Sequence, residues 1–253
     1  MEYKLLNGEV WSSDELLLRM NDDDFYYNFL GENALSSSTC KDLLRGVKYY
    51  EHNKRKPKSS QALTDGRLIH LAALEPHRME ELQTIDASSR RVKKFLDFKK
   101  EYGDVYLRSE VLNASSIAEG LLRNDKVSSI LENSQKEVSY FGTYRDLPFR
   151  VKVDIDNGDR IVDLKTTSDI SGFRWDAKKY HYDLQAALYL EITGKTQFDF
   201  LVLDKKTGEI GYWTTSEEFI QSGYNKLDKA IDTFILSRDA EYDPYQEMSE
   251  GEL

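Results

Sequence analysis

Residues 149–167 read FRVKVDIDNGDRIVDLKTT, and the architecture of the chain follows from them. Two short runs rich in Val and Ile flank Asn157-Gly158, a dipeptide that favours a type I′ turn, so the segment is expected to form a β-hairpin. With Asn157 and Gly158 as its loop, Asp156 faces Asp159 and Asp154 faces Ile161. Asp163 then lies two positions along the partner strand, on the face of Asp154. Lys165 shares that face because side chains alternate with period two. Diagonal neighbours of this kind have Cβ atoms roughly 7–8 Å apart or somewhat less, so one divalent cation fits between the carboxylates with an ammonium beside it. Folding alone would not choose these residues, since strand interiors are depleted in Asp and like charges repel unless a cation offsets them. The plain alternative is a solvated hairpin face on which Lys152 and Lys165 are ordinary partners of the aspartates.

Outward from the hairpin, the chain reads as one domain without internal repeats or low-complexity linkers: an extension (1–34), a core (35–240) and an acidic tail (241–253). The extension carries a helix near Ser13–Met20 and an aromatic cluster, Phe25-Tyr26-Tyr27, whose simplest role is packing. Ser36 and its serine neighbours offer an N-cap to a helix running through Tyr50, and Pro57 marks a loop. A second helix spans Ser60–Leu74 and stops at Glu75-Pro76. A short strand at Leu82–Ile85, a basic helix at Arg91–Tyr102 and an extended piece at Val105–Leu107 follow. Helices are expected at Ser109–Leu122 and Val127–Leu131, then strands at Lys136–Tyr144, Phe149–Ile155 and Arg160–Thr166. One long helix is expected from Trp175 to Thr193 with Gly194 at its C-cap, then strands at Phe198–Leu203 and Ile210–Thr214, and a closing helix at Ser216–Leu236. Strands interleaved with helices imply an α/β class, a central mixed sheet flanked by helices.

Composition narrows the function classes. A chain of 253 residues with 40% hydrophobic content builds a sizeable core. No apolar run approaches the roughly 20 residues a membrane span needs, and MEYKLLNGEVW lacks the basic start and apolar segment of a signal peptide. Cys40 is the single cysteine, which excludes an intrachain disulfide and fits a reducing cytoplasm. The net charge of −10 argues against a general nucleic-acid coat. Local basic patches remain, at His52–Lys58 and at Arg90-Arg91-Val92-Lys93-Lys94, each with a solvated surface as its plainer explanation.

Asp154 followed by Asp163-Leu164-Lys165 resembles the core of the PD-(D/E)XK nuclease superfamily, with Val153 where a Pro commonly precedes the first Asp. Gly66-Arg67-Leu68-Ile69-His70 resembles the G-x-x-x-H helix motif of its RecB-like branch, and Gln185-Ala186-Ala187-Leu188-Tyr189 the Q-x-x-x-Y helix motif. The chain is most similar to RecE-type (exonuclease VIII) phage exonucleases, over roughly Leu35 to Leu203. That resemblance implies a restriction-endonuclease-like fold and a Mg²⁺ site, with Mn²⁺ as a substitute. Its ligands would be His70, Glu137, Asp154, Asp163 and the backbone carbonyl of Leu164. One cysteine cannot hold the four-cysteine iron–sulfur cluster that some RecB-like nucleases carry.

Phosphodiester hydrolysis needs an oriented water, charge stabilisation and help for the leaving group, and carboxylate-held divalent cations supply all three. Mg²⁺ suits hard oxygen ligands. Lys165, with an ordinary pKa near 10.4, is better suited to electrostatic stabilisation than to proton abstraction. Glu137 opens the strand before the hairpin, where its plain alternative is an edge-strand surface residue. Glu75 is a weaker candidate that also ends a helix. Gln185 and Tyr189, four apart, share a helix face and can bind phosphate or position catalytic groups; packing is the alternative for Tyr189. Arg90, Arg91, Lys93, Lys94, Lys178 and Lys179, with His181 nearby, are candidate DNA contacts expected along the path to Asp154 and Asp163. Trp11, Trp175 and Trp213 are most simply core or surface anchors, although an aromatic near the site would wedge DNA ends.

The reading implied by the resemblance is an exodeoxyribonuclease that resects linear double-stranded DNA from 5′ ends. It would leave 3′ single strands for an annealing protein and work as a ring-shaped homo-oligomer, phage encoded and acting in the host cytoplasm. The alternatives are a structure-specific or CRISPR-associated RecB-like endonuclease, a non-catalytic DNA-binding recombination protein on the same fold, and a metal-dependent hydrolase of another substrate.

Overall fold

The computed structural model describes residues 1–54, 60–239 and 241–244. The loop expected at Pro57, the basic residues Arg55, Lys56 and Lys58, and most of the acidic tail lie outside the described residues.

An antiparallel hairpin, β1 (Glu2–Lys4) and β2 (Val10–Ser12), opens the chain. It leads into α1 (Ser13–Arg19), where the Ser12 side chain accepts from Glu15 N and the Glu15 carboxylate accepts from Ser12 N. A π-helical turn (Phe25–Phe29) runs into α2 (Leu30–Asn33). The helix expected from the Ser36 region through Tyr50 forms as two, α3 (Ser37–Leu43) and α4 (Val47–Asn53). Gly46, with φ +101°, breaks them. Ser36 caps α3 and Ser60 caps α5 (Gln61–Leu74). A 3₁₀ turn (Pro76–Glu81) follows, then β3 (Gln83–Ile85), α6 (Lys93–Tyr102), β4 (Val105–Leu107), α7 (Arg108–Leu122) and α8 (Asp125–Glu132). β3 and β4 pair in parallel as a small separate sheet.

The main sheet takes β5 (Gln135–Tyr144), β6 (Leu147–Asn157) and β7 (Arg160–Thr167), then crosses through α9 (Phe173–Lys179) and α10 (Tyr182–Thr193) to β8 (Gln197–Asp204) and β9 (Ile210–Thr214). α11 (Glu217–Ser237) closes the fold. Strand order is β5-β6-β7-β8-β9, antiparallel throughout except for the parallel β7–β8 pair. The α/β class with a mixed sheet is therefore as expected. β7 and β8 are covered on both faces, so consecutive residues are apolar and buried, Ile161-Val162 in β7 and Phe200-Leu201-Val202-Leu203 in β8. One face packs Ile161, Phe198 and Phe200 against Leu184, Leu188, Leu227 and Ile231 of α10 and α11. The other packs Val162, Leu164, Leu201 and Leu203 against Leu68, Ile69, Ala118 and Leu121 of α5 and α7. Each such aliphatic side chain contributes about 1.5–3 kcal/mol by leaving water. The N-terminal residues Leu5, Leu16, Phe25 and Leu30 pack on Phe141 of β5, so residues 1–34 brace the edge of the sheet.

The hairpin forms with a shifted register. Asn157 pairs with Arg160, Asp156 with Ile161 and Ile155 with Val162, so Gly158-Asp159 is the loop instead of Asn157-Gly158. Gly158 has φ +65° and Asp159 is outside the left-handed region. A type I′ turn needs positive φ at both central residues, and a loop with glycine first suits type II′. The shift is two residues, an even number, so it moves partners without exchanging faces. It brings Asp154 to the level of Asp163 itself, where a diagonal pairing was expected.

A second departure lies between α9 and α10, which were expected as one helix. His181 stands between them with φ +52°, a left-handed backbone that costs a non-glycine residue roughly 1–2 kcal/mol. The bend seats Phe173 of α9 in the core against Phe200 and Trp213, and that packing maintains it.

Candidate active site

Three neighbouring strands each bring one carboxylate to the same level. Along the β5–β6 ladder, Lys136 pairs with Ile155 and Val138 with Val153, which places Glu137 level with Asp154. Along β6–β7, the ladder ends at Ile155–Val162, one step before Asp154 and Asp163. Neither carboxylate pair is joined by regular pairing. Like charges directly opposite are destabilising: β6 and β7 part beyond Ile155–Val162, and the β5–β6 ladder skips the one step at Glu137 and resumes at Val138–Val153. Asp154 Oδ2 instead accepts the main-chain N–H of Leu164 at 2.8 Å. Glu137 has φ +54°, a strained backbone of the kind that persists where the surroundings over-determine it. β6 also changes its packing here: Val153 belongs to the α10–α11 side and Ile155 to the α5–α7 side. Strict period-two alternation would leave them on one side.

α5 supplies the next group. Gly66 lies so close to β7 that a Cβ there would stand 3.3 Å from Thr166 Oγ1. One turn on, His70 reaches Asp154, with Nδ1 3.6 Å from Oδ2. This close approach gives the G-x-x-x-H spacing a physical reason. Ligand atoms of His70, Glu137 and Asp154 all lie within 4.8 Å of one another, and the Leu164 backbone interacts with the His70 imidazole.

Asp163 is 1% exposed and is held from another direction. Gln185 of α10 donates Nε2–H to its Oδ1 at 2.6 Å, and Lys165 Nζ lies 2.5 Å from its Oδ2. Lys41 Nζ donates to Gln185 Oε1 at 3.4 Å. Tyr189 is buried and interacts with the Ser37 side chain and the Phe198 ring.

The electrostatics are those of charges crowded out of water. Burial first, and the charge of Asp154 second, pushes Glu137 up to about 7. Burial, with Asp163 next, pushes Asp154 up to about 8. Burial and the Lys165 charge hold His70 below its ordinary value, which leaves the imidazole neutral with a lone pair to offer. Burial opposes the charge of Lys165, but Asp163 and Asp154 outweigh it and hold the ammonium above its ordinary value. Lys165 is thus a fixed positive charge and a poor proton acceptor.

His70, Glu137, Asp154, Lys165, Gln185 and Tyr189 line one cleft of about 1450 Å³, while Asp163 is buried against Lys165 and is not among its lining residues. Its cationic walls are Lys41, Arg67, Arg78, Arg150, Lys152, Lys165 and Lys205. Arg90, Arg91, Lys93, Lys94, Lys178 and Lys179, expected along this path, are not among its lining residues. Arg90 is engaged by Glu110 through bonds of 2.8 and 2.7 Å. Lys94 donates to the Asp86 carbonyl, and Arg91 and Lys93 are exposed near the start of α6. Lys178 and Lys179 sit on α9, which turns Asp176 toward the cleft. His181 is likewise outside the lining, and burial holds its pKa low. Glu75 lines the cleft but pairs with Arg78 at 3.3 Å. Sequence reasoning did not single out Arg150, Tyr182 or Lys41 for this wall. They come from separate elements, and no local spacing connects them.

The family described as a PDDEXK-like domain of unknown function (DUF3799) matches residues 36–250. No curated protein matches the chain. Among solved structures, a candidate exonuclease from Eubacterium rectale is similar across 97% of both chains at 18% identity, with a TM-score of 0.65. A phage-related exonuclease from Haemophilus somnus 129PT is similar across 77% of this chain and 92% of its own, at 14% identity and a TM-score of 0.34. The first likeness bears on the fold alone.

Proposed function

The chain belongs to the PDDEXK-like family DUF3799, and on that premise we propose that it is a divalent-metal-dependent exodeoxyribonuclease acting on linear double-stranded DNA. The observation that carries this reading is the convergence of His70, Glu137 and Asp154 within 4.8 Å in one cleft, beside the Asp163–Lys165 pair. The donors fit a hard divalent cation. Two carboxylates are crowded together against the cost of burial, and a neutral imidazole stands next to them. Mg²⁺ suits such oxygen ligands, and Mn²⁺ tolerates the nitrogen as well.

His70, Glu137 and Asp154 would hold the ion, with Asp163 and the Leu164 carbonyl contributing from β7. When bound, it would supply charge for the phosphoryl oxygens and activation of the attacking water. Lys165 places a fixed positive charge where negative charge accumulates in the transition state. Gln185 fixes the Asp163 carboxylate through its amide, and Tyr189, one turn on along the same helix, anchors it through Ser37 and the Phe198 ring. Arg150, Lys152 and Arg78 give an acidic protein a cationic wall for the phosphate backbone.

Resemblance to RecE-type enzymes, together with a fold like that of the E. rectale candidate exonuclease, supports action from DNA ends. By the same resemblance we propose 5′ to 3′ resection leaving 3′ single strands for an annealing protein, within a ring of identical subunits. The decisive experiment is digestion of duplexes labelled at either end, with Mg²⁺ or EDTA, beside a covalently closed circle. Mg²⁺-dependent loss of the 5′ label from linear DNA alone is expected. Full cleavage in EDTA overturns the metal reading, and rapid cutting of the closed circle overturns the exonuclease reading.

A further inference from the structure

We propose that α9 and the following bend form a docking track for single-stranded DNA, leading from Trp175 past Tyr180 and Tyr182 to Lys165. This inference rests on the nuclease reading and adds the single strand as the species held next to the cleft.

The observations are these. Trp175 is 75% exposed and Tyr180 48%, unusual for large aromatics on a helix whose other face is anchored by buried Phe173 and Ala177. The Tyr180 ring lies 6.0 Å from the Tyr182 ring at 33°. Tyr182 in turn lies 5.0 Å from Lys165 Nζ. Both tyrosines line the cleft that holds the carboxylates. The Tyr180–Tyr182 pair therefore leads to the proposed catalytic ammonium, and Trp175 offers a further ring five residues earlier, on the solvent side of α9.

The cations alternate with these rings. Lys178 Nζ lies 5.8 Å from the Trp175 ring and Lys179 Nζ 5.3 Å from the Tyr180 ring. Among the described residues, Arg174, Lys178 and Lys179 form no ion pair. Arg67, Arg78, Arg90 and Arg145 each have a carboxylate partner. In a chain of net charge −10, three unneutralised cations interleaved with exposed rings are complementary to a polyanion whose units carry flat bases. A duplex buries its base faces in its own stack, whereas a single strand presents them. The left-handed His181 sets α9 apart from α10, so Tyr180 and Tyr182 reach the cleft while Trp175 stays outside it.

The test measures binding in Ca²⁺, whose looser coordination should support binding without turnover, by anisotropy of fluorescein-labelled blunt and single-strand-tailed duplexes. Trp175→Ala should weaken binding to the tailed duplex about tenfold, from the roughly 1–3 kcal/mol that one stacked base contributes, and leave the blunt duplex nearly unchanged. Trp175→Phe should recover most of the loss. The paired variant Lys178→Gln/Lys179→Gln should flatten the salt dependence by about one to two units. Equal weakening on both duplexes, or none, overturns the proposal. So does a change of oligomeric state in Trp175→Ala by light scattering, which would make this face a contact between copies of the chain. Wild-type protein that cleaves linear DNA in Mg²⁺ while Trp175→Ala binds tails normally removes the track alone. Wild-type protein that neither binds nor cleaves DNA removes the nuclease reading, and the track with it.

Discussion

Gln185 donates its side-chain amide to Asp163 Oδ1 at 2.6 Å, while Lys165 stands against the other oxygen. An aspartate 1% exposed in the middle of a sheet is thus fixed from both sides before any cation arrives. Removing the amide leaves a buried acceptor short of a partner. Gln185→Ala should therefore lower turnover about 10–100-fold, as loss of an outer-layer support does, and cost about 1–3 kcal/mol of stability. Gln185→Glu should be worse on both counts, because it sets a second carboxylate against Asp163. Thermal melts and single-turnover cleavage check both. Wild-type turnover in Gln185→Glu would show that this contact does not matter.

Lys165→Ala should reduce turnover about 10²–10³-fold, the range for losing one preorganised charge-stabilising group, while calorimetric Mn²⁺ binding stays within a few-fold of wild type. Asp163→Ala should abolish turnover and also weaken Mn²⁺ binding. The assigned roles fail if the two variants exchange phenotypes.

The apo protein should lose stability as pH rises. Unfolded Asp and Glu titrate near 3.9 and 4.3, whereas folded Glu137 and Asp154 titrate at about 7 and about 8. Between these limits the folded state holds more protons than the unfolded state, so the slope of stability with pH is negative. The cost grows above about pH 4 and is complete only above the folded values. In EDTA, Tm should fall between about pH 5 and about pH 8. Asp154→Asn should flatten that fall, and Mn²⁺ should reduce it by binding the ionised form. A Tm that climbs through this range in EDTA would contradict the crowded-carboxylate account.

Gly66 tests how closely α5 must approach β7. Gly66→Ala gains about 0.8–1 kcal/mol of helix propensity and meets only the Thr166 hydroxyl at 3.3 Å, which can rotate away. Near wild-type stability and activity are expected. Gly66→Leu has no such escape. It should push α5 outward and weaken Mn²⁺ binding about tenfold by carrying His70 away from Asp154. Circular dichroism with Mn²⁺ calorimetry separates this from unfolding.

Much of the molecule was legible in the linear sequence because its signals are local. The helix cap at Ser36, the start of α5 at Ser60, the apolar run of β8 and the C-terminal glycine of α10, Gly194 with φ +69°, each depend on a few adjacent residues. Asp154 and Asp163 were readable for a related reason, because a strand interior does not need Asp to fold, whereas His70 was readable through the resemblance of its G-x-x-x-H spacing to the RecB-like motif. What tertiary structure alone decided is where cooperation between distant segments outweighs local preference. The loop settled on Gly158-Asp159 because the whole hairpin register, not the favoured dipeptide, sets the partners. The expected helix over 175–193 broke at His181 because burial of Phe173 outweighs the local cost of a left-handed residue. Cations named from sequence clustering fell outside the cleft lining, and its actual walls come from six or more separate elements. Charge density along a chain says how many cations are available; only the packing of those elements says which of them face the carboxylates.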